Sequence, residues 1–311
     1  MAKTVLITGG YGFLGRAVAR KLRHHGYKVI GLGRGRWSPE EALAHGFDSW
    51  FDASVNMASL MGLQESFDLV VHCGGNGSVG YSLEHPLQDF EKTVQGSIEL
   101  LEYLRVTKSR ARLVYPSSAG VYGAKDDAPI RVADAMNPIS PYGYHKRIVE
   151  ELLESYSRSY GIRVGIIRFF SIYGPGLTKQ LLWDASTKLR TASGGAATFW
   201  GTGDETRDWI SSEDAAELVL AVAQSDSDFL VVNGASGQRS TVKHVLELLK
   251  HALDANAEVR FNGAVREGDP RFYHADISET LALGWRPAVT LEKGIEQYAR
   301  WFVAHEEVPL D

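Results

Sequence analysis

Cysteine is nearly absent. Cys73 stands alone among 311 residues, which excludes a disulfide framework and a thiolate metal site and leaves no metal expected. Long hydrophobic runs are missing as well: none reaches the ~18 residues that a membrane span needs. The chain enters a strand-like run with no leader pattern ahead of it, so the cytoplasm is the expected compartment. A basic excess is also lacking, since 33 Lys and Arg against 38 Asp and Glu give a net charge of -5. That balance argues against nucleic acid as a partner. Neither an internal repeat nor a low-complexity tract is found. The remainder is ordinary for a globular chain, at 44% hydrophobic and 23% charged, with length for one large or two small domains.

Short β-branched runs alternate with helical patterns through the first half. The candidate strands are Thr4–Thr8, Lys28–Leu32, Ser49–Phe51, Leu69–Cys73, Arg112–Tyr115 and Arg163–Arg168. Leu14–His25 reads as a helix with Leu14, Ala17, Val18 and Leu22 on one face, and Leu87–Leu104 and Tyr142–Tyr160 read as longer ones. The alternation predicts an α/β fold, a doubly wound parallel sheet with ligands at the carboxyl ends of its strands. After Arg168 glycine pairs punctuate the chain and the elements shorten. The expected division is a dinucleotide-binding domain over 1–169 and a smaller, mainly substrate-binding part over 170–311, with segments within 208–235, such as Phe229–Val232, returning to the sheet.

Thr8-Gly9-Gly10-Tyr11-Gly12-Phe13-Leu14-Gly15 closes the first strand and opens the first helix. Gly9, Gly12 and Gly15 fit the spacing of a dinucleotide turn: one glycine for a positive-φ bend, one for close approach of the pyrophosphate and one for helix packing. The backbone N–H groups of the new helix, at Phe13, Leu14 and Gly15, then favour phosphate. At the end of the second strand a carboxylate would normally hold the adenosine ribose. Here Gly33 stands in its place, followed by Arg34. The missing acid and the guanidinium favour NADP(H), with NAD(H) the alternative cofactor.

Tyr142 and Lys146 lie one helical turn apart, so their side chains share a face. Tyrosine titrates near 10, and a nearby ammonium favours the tyrosinate needed for proton exchange at a carbonyl. Ser118, 24 residues before Tyr142, would orient that carbonyl or alcohol. Glycine turn, Ser, Tyr and Lys together specify hydride chemistry at a carbonyl.

Over nearly its whole length the chain resembles an extended short-chain dehydrogenase/reductase of the nucleotide-sugar epimerase, dehydratase and reductase group. The segments that carry this are Ser117-Ser118-Ala119-Gly120-Val121-Tyr122-Gly123, Pro141-Tyr142-Gly143-Tyr144-His145-Lys146, Arg168-Phe169-Phe170-Ser171-Ile172-Tyr173-Gly174-Pro175-Gly176, Gly201-Thr202-Gly203-Asp204 with Arg207-Asp208, and Arg266-Glu267-Gly268-Asp269. The resemblance implies a Rossmann-like fold and a nucleotide-diphosphate sugar as substrate. It places Asp52 at the adenine, and Cys73, Gly74, Gly75 and Phe169 beside the cofactor. Arg207 and Arg266 would grip the sugar-nucleotide diphosphate, a task suited to guanidinium forks. Ser78, Ser171, Phe199 and Asp269 would line the substrate. Relatives dimerise through a four-helix bundle, which here would use Leu87–Leu104 and Tyr142–Tyr160, with Ile148, Leu152 and Tyr156 at the seam.

A dehydratase of this group carries acids directly after the serine, where Ala119 and Gly120 stand, so dehydration is not expected. Gly33-Arg34 points to NADPH-dependent reduction of a nucleotide 4-keto-6-deoxyhexose as the expected reaction, with an NAD-dependent 4-epimerase as the alternative. A non-catalytic dinucleotide sensor would have lost Tyr142 or Lys146, and both are present. Ser171 and Thr93 replace asparagines usual in the family, and Gly77 stands where some epimerases have a lysine near the cofactor. These departures imply an altered sugar pocket.

Overall fold

The structure, a computed structural model, describes residues 2–192, 194–264 and 271–305. Its first half alternates strands and helices: β1 (Thr4–Thr8), α1 (Phe13–His24), β2 (Lys28–Gly33), α2 (Pro39–Ala44), β3 (Ser49–Asp52), α3 (Met57–Gly62) and β4 (Leu69–His72). Next come α4 (Val79–Glu84), α5 (Pro86–Phe90), a π-helical turn at Glu91–Gln95, α6 (Gly96–Val106), β5 (Arg112–Ser118), α7 (Pro141–Tyr160) and β6 (Val164–Phe169). Val5, Leu6 and Ile7 of β1 are fully buried, as expected of strands covered by helices on both faces.

The second half contains β7 (Ser171–Tyr173), α8 (Gln180–Thr191), β8 (Ala196–Phe199), β9 (Thr206–Ser211), α9 (Ser212–Gln224) and β10 (Phe229–Gly234). It ends with β11 (Arg239–Thr241), α10 (Val242–Ala252), β12 (Glu258–Phe261), β13 (Phe272–Tyr273), α11 (Ser278–Ala282) and α12 (Leu291–His305).

Seven strands form one parallel sheet in the order β10-β6-β5-β4-β1-β2-β3. The chain runs outward from β1 in one direction through β2 and β3, and from β4 in the other. The carboxyl ends of β1 and β4 therefore flank the switch point where such sheets bind ligands. One apolar layer joins α1 and α9 to the sheet, through Val18, Leu22 and Val219. The opposite layer gathers Leu60, Leu100, Leu104, Val149 and Leu153. A separate core of Leu182, Leu189, Phe199, Leu246, Leu249 and Phe302 binds α8, α10 and α12 to β8.

Two elements differ from the sequence reading in a way that matters for the site. The helix expected over 87–104 is interrupted by the π-helical turn. There the Ser97 hydroxyl donates to the Thr93 carbonyl at 2.5 Å, and Thr93 Oγ1 accepts from the Asn76 N–H at 3.2 Å. Such turns, with one residue more than an α-helical turn, often occur at functional sites. The strand expected to stop at Tyr115 runs on to Ser118, because Pro116, Ser117 and Ser118 continue the register against Ile167, Arg168 and Phe169. Helix α7 starts with Pro141 after Ser140, whose hydroxyl accepts from the Gly143 N–H at 3.3 Å, and it closes at Gly161 in a left-handed conformation. These are ordinary start and stop signals.

Candidate active site

At the switch point the turn after β1 meets the loop after β4. Gly9 has φ +64°, and a Cβ there would lie 2.5 Å from the Cys73 carbonyl oxygen, so both the turn and the contact require glycine. Gly12 is the N-cap of α1, with no side-chain cap and no acid in the first turn. The N–H groups of Phe13, Leu14 and Gly15 therefore remain available to an anion. Gly74 and Gly75 border the same hollow, and the Gly74 N–H donates to Thr8 Oγ1 at 3.3 Å. An uncapped helix start facing two strand ends in backbone contact fits a dinucleotide pyrophosphate. Cys73 carries a thiol pushed up to about 12 by burial, against the pull of Lys146, so it acts as a neutral wall. Phe169, at the end of β6, is buried beneath the site.

On the adenosine side, Arg34 is exposed. Asp52 is tied into the same loop: its carboxylate accepts from the Gly35 N–H at 3.1 Å and lies 3.7 Å from Arg36 Nε.

Ser118 ends β5, and its hydroxyl accepts from the Gly120 N–H at 3.1 Å. Tyr142 stands in the first turn of α7. A Cβ on Gly120 would lie 3.3 Å from Ser118 Oγ and 3.4 Å from Tyr142 Cε1. Hydroxyl and phenol ring thus flank one glycine. Lys146 is 6% exposed. Its Nζ donates to the Pro116 carbonyl at 3.0 Å, 4.6 Å from the Tyr115 ring and 6.0 Å from the Tyr142 ring. Burial pulls the ammonium down to about 8, opposed by the Glu150 and Asp89 carboxylates. Burial also raises Tyr142; the Ser118 hydroxyl opposes that shift and Asp89 adds to it. The tyrosinate therefore needs added positive charge, of the kind an oxidised nicotinamide brings.

Beneath this group lies a buried ion pair. Arg168 donates to Glu150 from Nη2 at 2.8 Å and from Nε at 3.0 Å, and the Ser117 hydroxyl reaches Glu150 at 2.5 Å. Tyr122 accepts from Arg168 at 3.0 Å and donates to Asn233 at 2.7 Å.

The expected substrate residues fare unevenly. Ser78 caps α4, its hydroxyl accepting from the Tyr81 N–H at 3.3 Å, and Ser171 opens β7, half-buried. Arg207 lies on β9, half-buried, between the buried Thr206 and Asp208. Phe199 is a correction. It is 2% exposed inside the α8–α10 core, because the strand alternates Ala197 and Phe199 inward. Trp200, the next residue, is 58% exposed, and the period-two pattern of β8 was the signal that Phe199 turns inward. Arg266 and Asp269 lie outside the described residues.

Three groups were not anticipated. His72 is fully buried, with Nδ1 2.6 Å from Thr8 Oγ1 and Nε2 2.9 Å from Ser97 Oγ. Asp89, completely buried, holds His145 Nδ1 at 2.5 Å, one residue before Lys146. Lys179 has its Nζ 3.7 Å from where a Cβ on Gly77 would stand, and Gln180 Nε2 donates to the Gly77 carbonyl at 3.2 Å. A cation from the far side of the cleft thus approaches the position at which Gly77 has no side chain. Each of these joins residues distant in sequence, so spacing carried no signal for them.

A putative UDP-glucose 4-epimerase of Methanocaldococcus jannaschii is 28% identical to the protein, covering 96% of this chain and 97% of that relative. The UDP-glucose 4-epimerase of Thermotoga maritima, solved with UDP-glucose, matches at TM-score 0.88 and 26% identity over 98% of this chain and 100% of its own. The UDP-glucuronic acid 4-epimerase of Bacillus cereus, solved with UDP-glucuronic acid and NAD, shares the fold at TM-score 0.86 and 21% identity, over 97% of this chain and 99% of its own. The model of the NAD-dependent epimerase/dehydratase family matches residues 5–233, and the chain belongs to that family.

Proposed function

We propose that the protein interconverts the C4 epimers of a nucleoside-diphosphate hexose. The observation that carries this reading is the convergence of Ser118 and Tyr142 on Gly120, with Lys146 buried behind them and Ala119 and Gly120 where a dehydratase carries acids. Relatives named as UDP-glucose 4-epimerases, at 28% and 26% identity over nearly the whole chain, support it.

A bound nicotinamide supplies the hydride acceptor and donor. The chain's own residues do the rest. Ser118 holds the sugar O4 by a hydrogen bond. Tyr142 takes the O4 proton as the C4–H hydride leaves, giving the 4-keto sugar, and returns it when hydride is delivered to the opposite face. Lys146 keeps the tyrosinate accessible and would bond the nicotinamide ribose. Arg207 would hold the diphosphate while the keto sugar turns, with Lys179 a further cation at the cleft. The ledger closes with no net oxidation.

A second reading, NADPH-dependent reduction of a nucleotide 4-keto-6-deoxy sugar, is favoured by the absence of a carboxylate at Gly33 and the presence of Arg34. It differs in consuming one NADPH per sugar reduced and in drawing its proton from solvent through Tyr142.

Tyr142→Phe tests both. Turnover should drop by about 10²–10⁴-fold, while nicotinamide cofactor affinity stays within about twofold. A variant with undiminished turnover rules out Tyr142 as the proton-transfer group.

A further inference from the structure

One short segment touches both banks of the hollow between the glycine turn and the loop after β4. Gly176 lies against the start of α1: its carbonyl accepts from Arg16 Nη2 at 3.3 Å, and a Cβ there would stand 3.7 Å from Phe13 Cδ2. Leu177, the next residue, is 3% exposed, and its carbonyl accepts from the Tyr298 hydroxyl at 3.1 Å. This end of the segment is therefore anchored. At the other end Gln180 Nε2 donates to the Gly77 carbonyl at 3.2 Å, in the loop after β4. Residues 176–180 thus run as a strap from the helix start that would hold a pyrophosphate to the loop that faces it.

The far end of the strap is closed against a conformational cost. Gln180, the first residue of α8, has φ +67°, a left-handed conformation that residues with side chains disfavour and that persists only where contacts fix it. Here the fixing contact is a single exposed hydrogen bond, so the closed arrangement is one that a ligand can reinforce. Lys179 supplies the means. Its Nζ lies 3.7 Å from where a Cβ on Gly77 would stand, and no acid pairs with it among the described residues. An anion in the hollow would draw this ammonium inward, and the strap with it.

We propose that residues 176–180 close as a strap over a bound dinucleotide, with Gln180 as its latch and Lys179 as the charge that pulls it shut. An epimerase must keep its cofactor between the two hydride transfers, and the strap retains it there. The proposal rests on the dinucleotide reading of the glycine turn. Its test involves no sugar, so it stands or falls apart from the reaction assigned above.

Stopped-flow displacement of bound NADH and NADPH by excess ADP-ribose, followed by nicotinamide fluorescence in the full-length protein, tests it. Gln180→Gly keeps the left-handed bend without strain and loses only the side-chain contact, so folding is not at issue. It should release the dinucleotide about three- to tenfold faster than wild type, the order of one hydrogen bond, with association within about twofold. Lys179→Met should also release faster, and it should lose the acceleration by salt that wild type shows. Hydrogen exchange over residues 176–180 should slow when dinucleotide is added to wild type, and slow less in Gln180→Gly. Release at the wild-type rate in either variant, or exchange unmoved by dinucleotide, overturns the strap while leaving the glycine turn as the binding site. A wild type that binds neither dinucleotide overturns both.

Discussion

At the scale of single residues, His72 shows how a buried side chain can set both geometry and acid response. Ser97 donates its proton to the Thr93 carbonyl, so it must accept from His72 Nε2. Nδ1 is then the acceptor for the Thr8 hydroxyl, which itself receives the Gly74 N–H. The neutral ring thus ties the end of β1 to the loop after β4. Burial, with help from the Lys146 charge, holds its pKa down at about 3, against an ordinary 6.5. As pH falls from 6.5 toward 3, the unfolded chain binds a proton at this ring that the folded chain refuses, so stability is lost over that window. At pH 5 the loss is about 2 kcal/mol. Urea unfolding at pH 7 and pH 5 should show this increment in wild type and its absence in His72→Gln. An equal acid loss in both would contradict the assignment.

Lys146 gives a second residue-scale prediction. Its ammonium, drawn down to about 8, is shed as pH rises through that value, and the ribose hydrogen bond proposed for it would weaken with it. Cofactor affinity should fall above pH 8 in wild type and stay level in Lys146→Met. Ser118, Tyr142 and Lys146 were legible in the sequence because each sits in a short local motif. His72 was not, since Thr8 and Ser97 lie far from it along the chain, and Phe199 misled because a motif position says nothing about which face of a strand is inward.

At the scale of elements, α7 must hold Tyr142 and Lys146 in fixed relation to β5. Glu150, one turn beyond Lys146, is clamped by Arg168 of β6 and by Ser117 of β5. Removing one partner of a buried pair strands the other charge, which costs about 3–5 kcal/mol. Glu150→Ala should lower unfolding stability by that order in denaturant titration, and a loss below about 1 kcal/mol would show that the clamp is not what anchors the helix. The alternating strands and helices were readable because buried parallel strands are apolar throughout. The π-helical turn at Glu91–Gln95 was not, because its cause is tertiary: Thr93 is held by Asn76 from another loop, while the local sequence still looks helical.

At the scale of the whole molecule, association follows from what the fold leaves uncovered. Ile148, Leu152 and Tyr156, expected at a dimer seam, are half-buried and pack at the margin of the core beneath α6 and α7. Exposed apolar side chains at the N-terminal end of α7 and on α4 and α5 beside it include Leu83, Leu87, Phe90 and Tyr144, with Leu87 64% exposed. We propose that these form the contact between two copies. Light scattering should give twice the 34.2 kDa chain mass, reduced to the monomer value in Leu87→Glu with Phe90→Glu; a monomeric wild type would contradict the proposal.

Proton NMR of the protein mixed with UDP-glucose, UDP-glucuronate or UDP-N-acetylglucosamine deuterated at C4, with no nucleotide cofactor added, tests the central claim most directly. The account predicts that at least one substrate equilibrates with its C4 epimer and keeps its deuterium at C4, because the hydride that leaves is the one that returns. Unchanged substrates throughout, with stoichiometric NADPH oxidation on a nucleotide 4-keto-6-deoxy sugar instead, would contradict epimerisation and establish the reductase.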